Sequence, residues 1–494
     1  MSRRKRPKKV KRNGGAKGKP SVAAPVPNRK HLASMFKWLL PDNSIFAKMK
    51  LHGNTKWQPK YLVCLALIWA WSDAKHLTDA YTEAVPCCFS LFGCVMLSTY
   101  QGFMGALTRW TATLMEVLWL VLQERMEEIG GRFWRIHGWV PIAFDGSRSS
   151  APRTIANEKA FCAENYGKGK TAKYRKKKTK GMRRKKNERN KAQPQTPQAW
   201  ITLLWHVGLR LPWMWRIGPS NASERAHVME MIVAGKYPRN TLFCGDAGFV
   251  GFPLWSAIRQ SGGHFLVRVG ANVSLLREGA DYELAQNGLV LCWPRAMQGK
   301  QMPLRLRLVK ARIGKTAVYL LTSVLNANQL TIPQMVKLYK MRWGIEVEFR
   351  GLKQTLDRAK LRCRNDQRLL AELNWSIMAM AVAELFALRE QLAAKPQTDN
   401  PCAKPADPNR RSLANTIRVL RRCLRALDSI PRPNADLPTL LRKAVTDTYQ
   451  RKKPKGSRYR PPNPDKKPLG APQVRKITVQ EKKQLQKRLK KLAA

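Results

Sequence analysis

Three carboxylates and one polar stripe hold the chemistry this sequence could do. Asp145 ends the apolar run Gly138–Phe144, and Asp246 follows Thr241–Phe243 in Gly245-Asp246-Ala247-Gly248. Functional groups of α/β sheets sit at such carboxyl ends of strands, although aspartate next to glycine is also ordinary turn chemistry. The third acid, Glu346, lies in the stretch Thr331–Lys360, where Thr331-x-x-Gln334 reads as a capping box with Pro333 in the first turn. Read as one helix at ~100° per residue, Tyr339, Arg342, Glu346 and Lys353 share a stripe about 60° wide. Arg350, Asp357 and Lys360 share or border that stripe, while Leu338, Met341, Ile345, Leu352 and Leu356 mark the core side. Glu348 falls at the edge of the apolar side, so Glu346 is the better placed acid. A polar stripe is usually just a solvated face; a carboxylate among phosphate-binding groups is also what a nucleic-acid cleft requires. Gly344 and Gly351 cost about 1 kcal/mol each inside a helix, which predicts a close approach there by a packed helix or by DNA.

Charge names the partner class. Ninety-two Lys and Arg against 32 Asp and Glu leave +60 on 494 residues, an excess that suits a polyanion such as nucleic acid. Three blocks carry well over half of it: +10 in 1–20, +13 in 168–191 and +14 in 451–494. Such blocks cannot bury enough apolar surface to fold alone and read as arms that track phosphates, or as solvated tails or nuclear-localisation signals. The apolar stretches Tyr61–Trp71 and Pro86–Ser98 fall short of the ~18–20 residues of a membrane span, and no signal-type apolar core follows the N-terminus. No membrane partner is expected. Ten cysteines without a C-x-x-C pair and seven isolated histidines offer no zinc spacing and no disulfide framework. That leaves the acids, in a reducing cytosol.

The elements that must position these residues read as α/β. Leu107, Trp110, Leu114, Leu118 and Leu122 follow a helical period that ends at Gly130-Gly131. Trp200–Ile217 reads as two strands broken near Leu209–Pro212, and Ser220–Lys236 as a helix. FLVRV, LVLCW, PLRLRLVKARI and AVYLLTSVL are strand-like runs between 264 and 325. Ser412–Ile430 is an amphipathic helix with an apolar seam of Leu413, Ile417, Leu420, Leu424 and Leu427. The expected organisation is a basic disordered arm (1–30), a helical N-terminal domain that contacts DNA (31–134) and a first core part (135–263) interrupted by a basic insert (160–197). A β-rich insertion domain (264–330), a second core part (331–390), a helical C-terminal region (391–448) and a basic tail (449–494) follow.

Y-x2-R-x3-E-x6-K, realised as Tyr339, Arg342, Glu346 and Lys353, resembles the YREK signature of bacterial DDE transposases of the insertion-sequence family four type. The run RWGIEVEFRGLK is similar to that family's RW-x-IE-xx-F-xx-LK, and Asp145 and Asp246 match its two aspartates, with intervals of 101 and 100 residues along Asp145, Asp246 and Glu346. The resemblance covers roughly 135–365. It implies a ribonuclease H-like core, a mixed sheet flanked by helices, with a β-rich insertion between the second aspartate and the glutamate. It further implies Asp145, Asp246 and Glu346 as catalytic metal ligands, Tyr339, Arg342, Lys353 and Arg350 as binders of DNA phosphate, and a homodimer that pairs two element ends. The basic insert and the long basic tail depart from the family pattern.

Three acids brought together repel and raise one another's pKa unless cations neutralise them. Magnesium suits an all-oxygen site, as two ions with manganese as a substitute. The expected activity is cleavage of double-stranded DNA at terminal inverted repeats, then 3′-hydroxyl strand transfer into target DNA, in the cytoplasm at the nucleoid. Two alternatives stay open: a decayed or domesticated, non-catalytic nucleic-acid-binding protein, and a nuclease without strand transfer. Trp293 reads as a packing residue rather than a stack for a displaced base.

Overall fold

The computed structural model describes residues 26–55, 57–94, 97–162, 196–277, 288–298, 300–314, 316–393, 407–446 and 470–493. The basic blocks at 1–20 and 168–191, and the tail up to 469, lie outside the described residues.

The fold is mixed α/β, built on one large mixed sheet flanked by helices. One end of the sheet is an antiparallel meander of β1 (Val140–Ser150), β2 (Gln198–His206) and β3 (Leu211–Gly218). β4 (Thr241–Gly245) runs parallel to β1, and β5 (His264–Val269) runs parallel to β4. The strands buried on both faces are near-continuous apolar runs; all five residues of β4 are buried. Between β3 and β4 runs α1 of the core (Glu224–Ala234), started by Ser223, whose Oγ accepts from the Ala226 amide at 3.4 Å.

The strands after β5 do not form a separate body. β6 (Ser274–Arg277), β7 (Gly288–Cys292), β8 (Leu304–Ile313) and β9 (Thr316–Thr322) extend the same sheet, because β9 pairs antiparallel with β5 over Leu266–Val269. The expected β-rich insertion is therefore an edge extension of the central sheet. Trp293 packs there, 4% exposed, with Nε1 donating to the Gln301 carbonyl at 2.9 Å.

The described part of the tail corrects the expectation of a disordered basic arm. β10 (Gln473–Lys476) pairs parallel with β6, and a helix follows at Val479–Ala493. Two things overcome the charge. Ile477 and Leu485 pack on Leu276, Leu291 and Trp293. Glu481 accepts from Arg475 at 2.6 and 2.9 Å and from the Thr478 amide and Gln298 at 2.9 Å.

After β9 come α2 of the core (Ile332–Met341), α3 (Gly344–Gln354) and the long α4 (Asp366–Ala393). By length and composition α4 could cross a membrane, but 89% of its most apolar window is buried inside the protein. It is the central core helix. Against it pack the N-terminal helices Asn28–Leu39, Pro59–Trp71 and Tyr100–Gly130, through rings such as Phe36, Trp71 and Phe386, and Leu77–Phe92 packs on Pro59–Trp71 in turn. N-terminal helices and sheet share one continuous hydrophobic core. The amphipathic helix Leu413–Leu424 is spent inside the fold: Ile417 and Leu420 are buried, Arg421 Nε donates to the Trp71 carbonyl at 2.6 Å, and Arg425 pairs with Asp73 at 2.7 Å.

Candidate active site

Sheet register brings the two aspartates abreast. β1 and β4 pair from Val140↔Thr241 to Ala143↔Cys244, and the same offset carried forward sets Asp145 beside Asp246. Asp145 does not end in the turn its glycine suggested: β1 continues through Gly146 to Ser150, and Asp145 Oδ1 accepts from the Gly146 amide at 2.9 Å within the strand. Asp246, by contrast, closes the turn after β4, with Oδ1 accepting from the Gly248 amide at 2.7 Å.

The third acid arrives on a helix that is not continuous. The expected single helix breaks at Arg342–Trp343, where the Trp343 amide donates to the Lys340 carbonyl at 3.2 Å and the Ile345 amide to Arg342 at 3.1 Å, both i to i−3. The cause is Gly344: a Cβ there would lie 2.2 Å from Cη2 of Trp205 on β2. Helices kink where side-chain packing enters the ladder. Gly351 likewise makes room for Leu413, 2.5 Å from its would-be Cβ. Protein side chains, not DNA, occupy both close approaches. The end of β1 then fixes the helix in place, because Ser150 donates to the Ala359 carbonyl at 2.9 Å and accepts from the Leu361 amide at 2.8 Å.

Arg342 links the acids. Its Nη1 stands 3.7 Å from Asp145 Oδ2 and its Nη2 stands 3.9 Å from Glu346 Oε1, with its guanidinium 5.5 Å from the centre of the Tyr339 ring. The residue is 5% exposed, so it lies beneath the acids, away from the solvated face expected from the stripe. Both ion pairs are long, and Nε and Nη1 are buried with no hydrogen-bond partner. Lys353 Nζ donates to Ser147 Oγ at 2.7 Å, and burial lowers its pKa. Asp145, Ser147, Glu346, Arg350 and Lys353 line one open cleft, with Arg350 exposed at its rim.

The acids repel one another. Burial first, and Asp246 after it, raise the Asp145 carboxyl above its ordinary range against the opposing pull of the Gly146 amide and Arg342. Glu346 is raised by burial, then by Asp145, with Arg342 opposing. A fourth acid that the sequence did not single out, Glu224, is pushed up to about 7 by burial, then Asp145 and Asp246. Among the described residues, no three or more His, Cys, Asp or Glu side chains are arranged to hold a metal ion as they stand. The donor chemistry nevertheless fits one: every acid in the cleft offers carboxylate oxygen, the ligand type of a hard divalent cation, and a cation would relieve the repulsion that raises them.

Glu348 lies apart from this group, as its place on the apolar side predicted. It is 6% exposed and faces Glu384, which ion-pairs with Arg411 at 3.4 Å; burial and then Glu384 hold its carboxyl well above the usual range.

Comparison with known proteins bears on this part of the chain. Residues 142–382, which span both aspartates and Glu346, match the family described as Transposase DDE domain. A protein of Sinorhizobium fredii that carries a transposase name, y4zB, is 26% identical over 151 residues, which cover 29% of this chain and 41% of that relative's length. Among solved structures, a cryo-EM piggyBac transposase synaptic complex with hairpin DNA aligns over 85% of this chain and 82% of its own at 12% identity, with a TM-score of 0.38. The segment that carries the clustered acids is thus the segment similar to a DDE transposase domain.

Proposed function

We propose that this protein is a transposase of the insertion-sequence family four type, which cuts double-stranded DNA at the element's terminal repeats and joins the freed 3′-hydroxyl to target DNA. One observation carries the reading: Asp145 and Glu346 flank a single buried arginine in a cleft with Lys353 and Arg350, inside the stretch similar to a DDE transposase domain. We read the core as ribonuclease H-like. The strand order β3-β2-β1-β4-β5, an antiparallel meander with two strands parallel to β1, supports that reading.

In this reading Asp145, Asp246 and Glu346 would hold two magnesium ions, for which manganese would substitute. When bound, such ions supply charge neutralisation at phosphate and lower the pKa of water. The chain's own residues do the rest. Lys353 and Arg350 hold backbone phosphates at the cleft, and Arg342, seated on Tyr339 beneath Asp145 and Glu346, offers N–H groups that make no hydrogen bond within the described protein. Attack of water on phosphorus breaks the bond to the 3′ oxygen and leaves a 3′-hydroxyl and a 5′-phosphate. That hydroxyl then attacks a target phosphodiester, which loses its own 3′ oxygen as the leaving group. The protein acts as a homodimer on paired ends.

The test is incubation of the full chain with a labelled duplex taken from the repeats that flank its gene, plus supercoiled plasmid, in magnesium or in EDTA. Magnesium-dependent 3′-hydroxyl ends and label joined to plasmid are expected. Cleavage without joining favours a nuclease; binding without cleavage favours a non-catalytic DNA-binding protein. Either result overturns the proposal.

A further inference from the structure

The glycine after Asp145 is usually read as turn chemistry, but here it has a second reason. A Cβ on Gly146 would lie 2.3 Å from Glu224 Oε1, 2.7 Å from Cδ and 2.9 Å from Cγ. The Glu224 carboxyl is therefore laid against the backbone immediately after Asp145. It comes from the first residue of the helix Glu224–Ala234, which starts beside the meander.

Among the described residues, no donor satisfies this carboxyl. Glu224 is half-buried, and among the described residues it makes no hydrogen bond and no ion pair. The cation that acts on it, Arg148, is exposed and lies over the Trp200 ring at 4.0 Å. A half-buried carboxylate that has lost part of its water and gained no donor is left under-satisfied, and a cation would satisfy it. A second, independent observation marks the same cleft as built for a ligand. The Arg342 side chain is 6% exposed, and its Nε and Nη1 make no hydrogen bond, although long ion pairs to Asp145 at 3.7 Å and Glu346 at 3.9 Å hold it between the acids. Buried donors and undonated acceptors gathered around Asp145 are complementary to a ligand with both a cation and phosphate oxygens.

We propose that Glu224 is a fourth acid of the metal site and takes a divalent cation together with Asp145 and Asp246. The inference rests on the reading of Asp145, Asp246 and Glu346 as metal ligands. Three carboxylates leave two divalent ions one charge short of neutrality; a fourth balances them. Gly146 is then the residue that keeps this position open. Its backbone is outside the left-handed region, so alanine is allowed there, and the atoms it would meet belong to the flexible end of Glu224.

The experiment titrates Mn2+ into the full chain without DNA and follows free Mn2+ by electron paramagnetic resonance. Asp145→Asn is the control for the site, and melting in EDTA reports folding. Loss of a carboxylate ligand weakens Mn2+ binding by roughly 10-fold or more, the scale on which even outer partners of metal ligands act. Glu224→Gln and Gly146→Ala are expected to show that loss, whereas Gly146→Ala adds nothing in a Glu224→Ala background. In EDTA, Glu224→Gln is expected to melt no lower than the parent, since it removes an unsatisfied charge. If Asp145→Asn weakens binding and Glu224→Gln does not, Glu224 is not a ligand and the site reading survives without it. If neither weakens binding, the metal-site reading itself falls and takes this inference with it. A clear drop in the EDTA melting temperature of Glu224→Gln means that the protein already holds the carboxylate, which also overturns the proposal.

Discussion

In the C-terminal clasp, Glu481 accepts from Arg475 at 2.6 and 2.9 Å, from the Thr478 amide at 2.9 Å and from Gln298 at 2.9 Å. In the cleft, Glu346 has Arg342 at 3.9 Å, and Glu224, laid against Gly146 of the cleft, has no donor among the described residues. The titration directions follow. Arg475 and its fellow donors pull Glu481 down to about 2, while burial and like charge push Glu224 up to about 7. Buried Glu372 belongs with Glu481: it accepts from the Arg362 and Cys363 amides at 3.0 and 2.9 Å and stands 3.8 Å from Arg358. The same residue type thus does two jobs. For Glu481 and Glu372, which tie elements of the fold together, the protein supplies the donors. For Glu346 and Glu224 it supplies few or none among the described residues.

This contrast can be broken from either side. The largest expected effect is on the cleft side. Asp145→Asn should cut magnesium-dependent cleavage by at least about 100-fold, with metal-free stability equal to the parent or higher, because a repelled acid is lost. A drop in both would place Asp145 among the structural acids. Next in size, Glu372→Ala strands the buried Arg358 charge and should cost about 3–5 kcal/mol in denaturant unfolding; a change well under 1 kcal/mol would void its structural role.

Glu481 gives a smaller and pH-dependent effect. Its folded pKa lies below its unfolded value of 4.5, so its contribution is complete above about 4.5 and is lost as pH falls toward about 2. Hydrogen exchange at Val474–Lys476 should speed up, relative to the intrinsic rate, as pH falls through that window. Glu481→Gln should show exchange about 10-fold faster or more already at neutral pH. Flat protection across the window would show that the apolar contacts of Ile477 and Leu485 hold the strand without the clasp.

How much of this was legible depends on how local each signal was. The apolar run before Asp145, the break between β2 and β3 and the capping box at Thr331 sit in neighbouring residues, and the described fold has each of them. The helical period also separated Glu346 from Glu348 correctly in space, since a rotation of two residues survives a kink. The kink itself was hidden because its cause, Trp205, is far away in sequence from Gly344. Pairing of β9 with β5 and of β10 with β6 is equally non-local, so the β-rich segment read as a separate insertion and the tail as an arm that tracks phosphates. Glu224 carried no spacing signal. The clue available was an acid in the first turn of a helix that leaves the strand meander, paired with a glycine next to a candidate aspartate.

The most direct test compares two glutamates separated by one residue. Single-turnover cleavage of a labelled element end is measured for Glu346→Gln and Glu348→Gln, beside a gel-shift on the same DNA. Glu346→Gln should lose cleavage and keep end binding. Glu348→Gln, which removes a buried acid held well above the usual range, should keep most of its cleavage. Normal cleavage by Glu346→Gln, or loss confined to Glu348→Gln, would contradict the assignment of the cleft acids to catalysis.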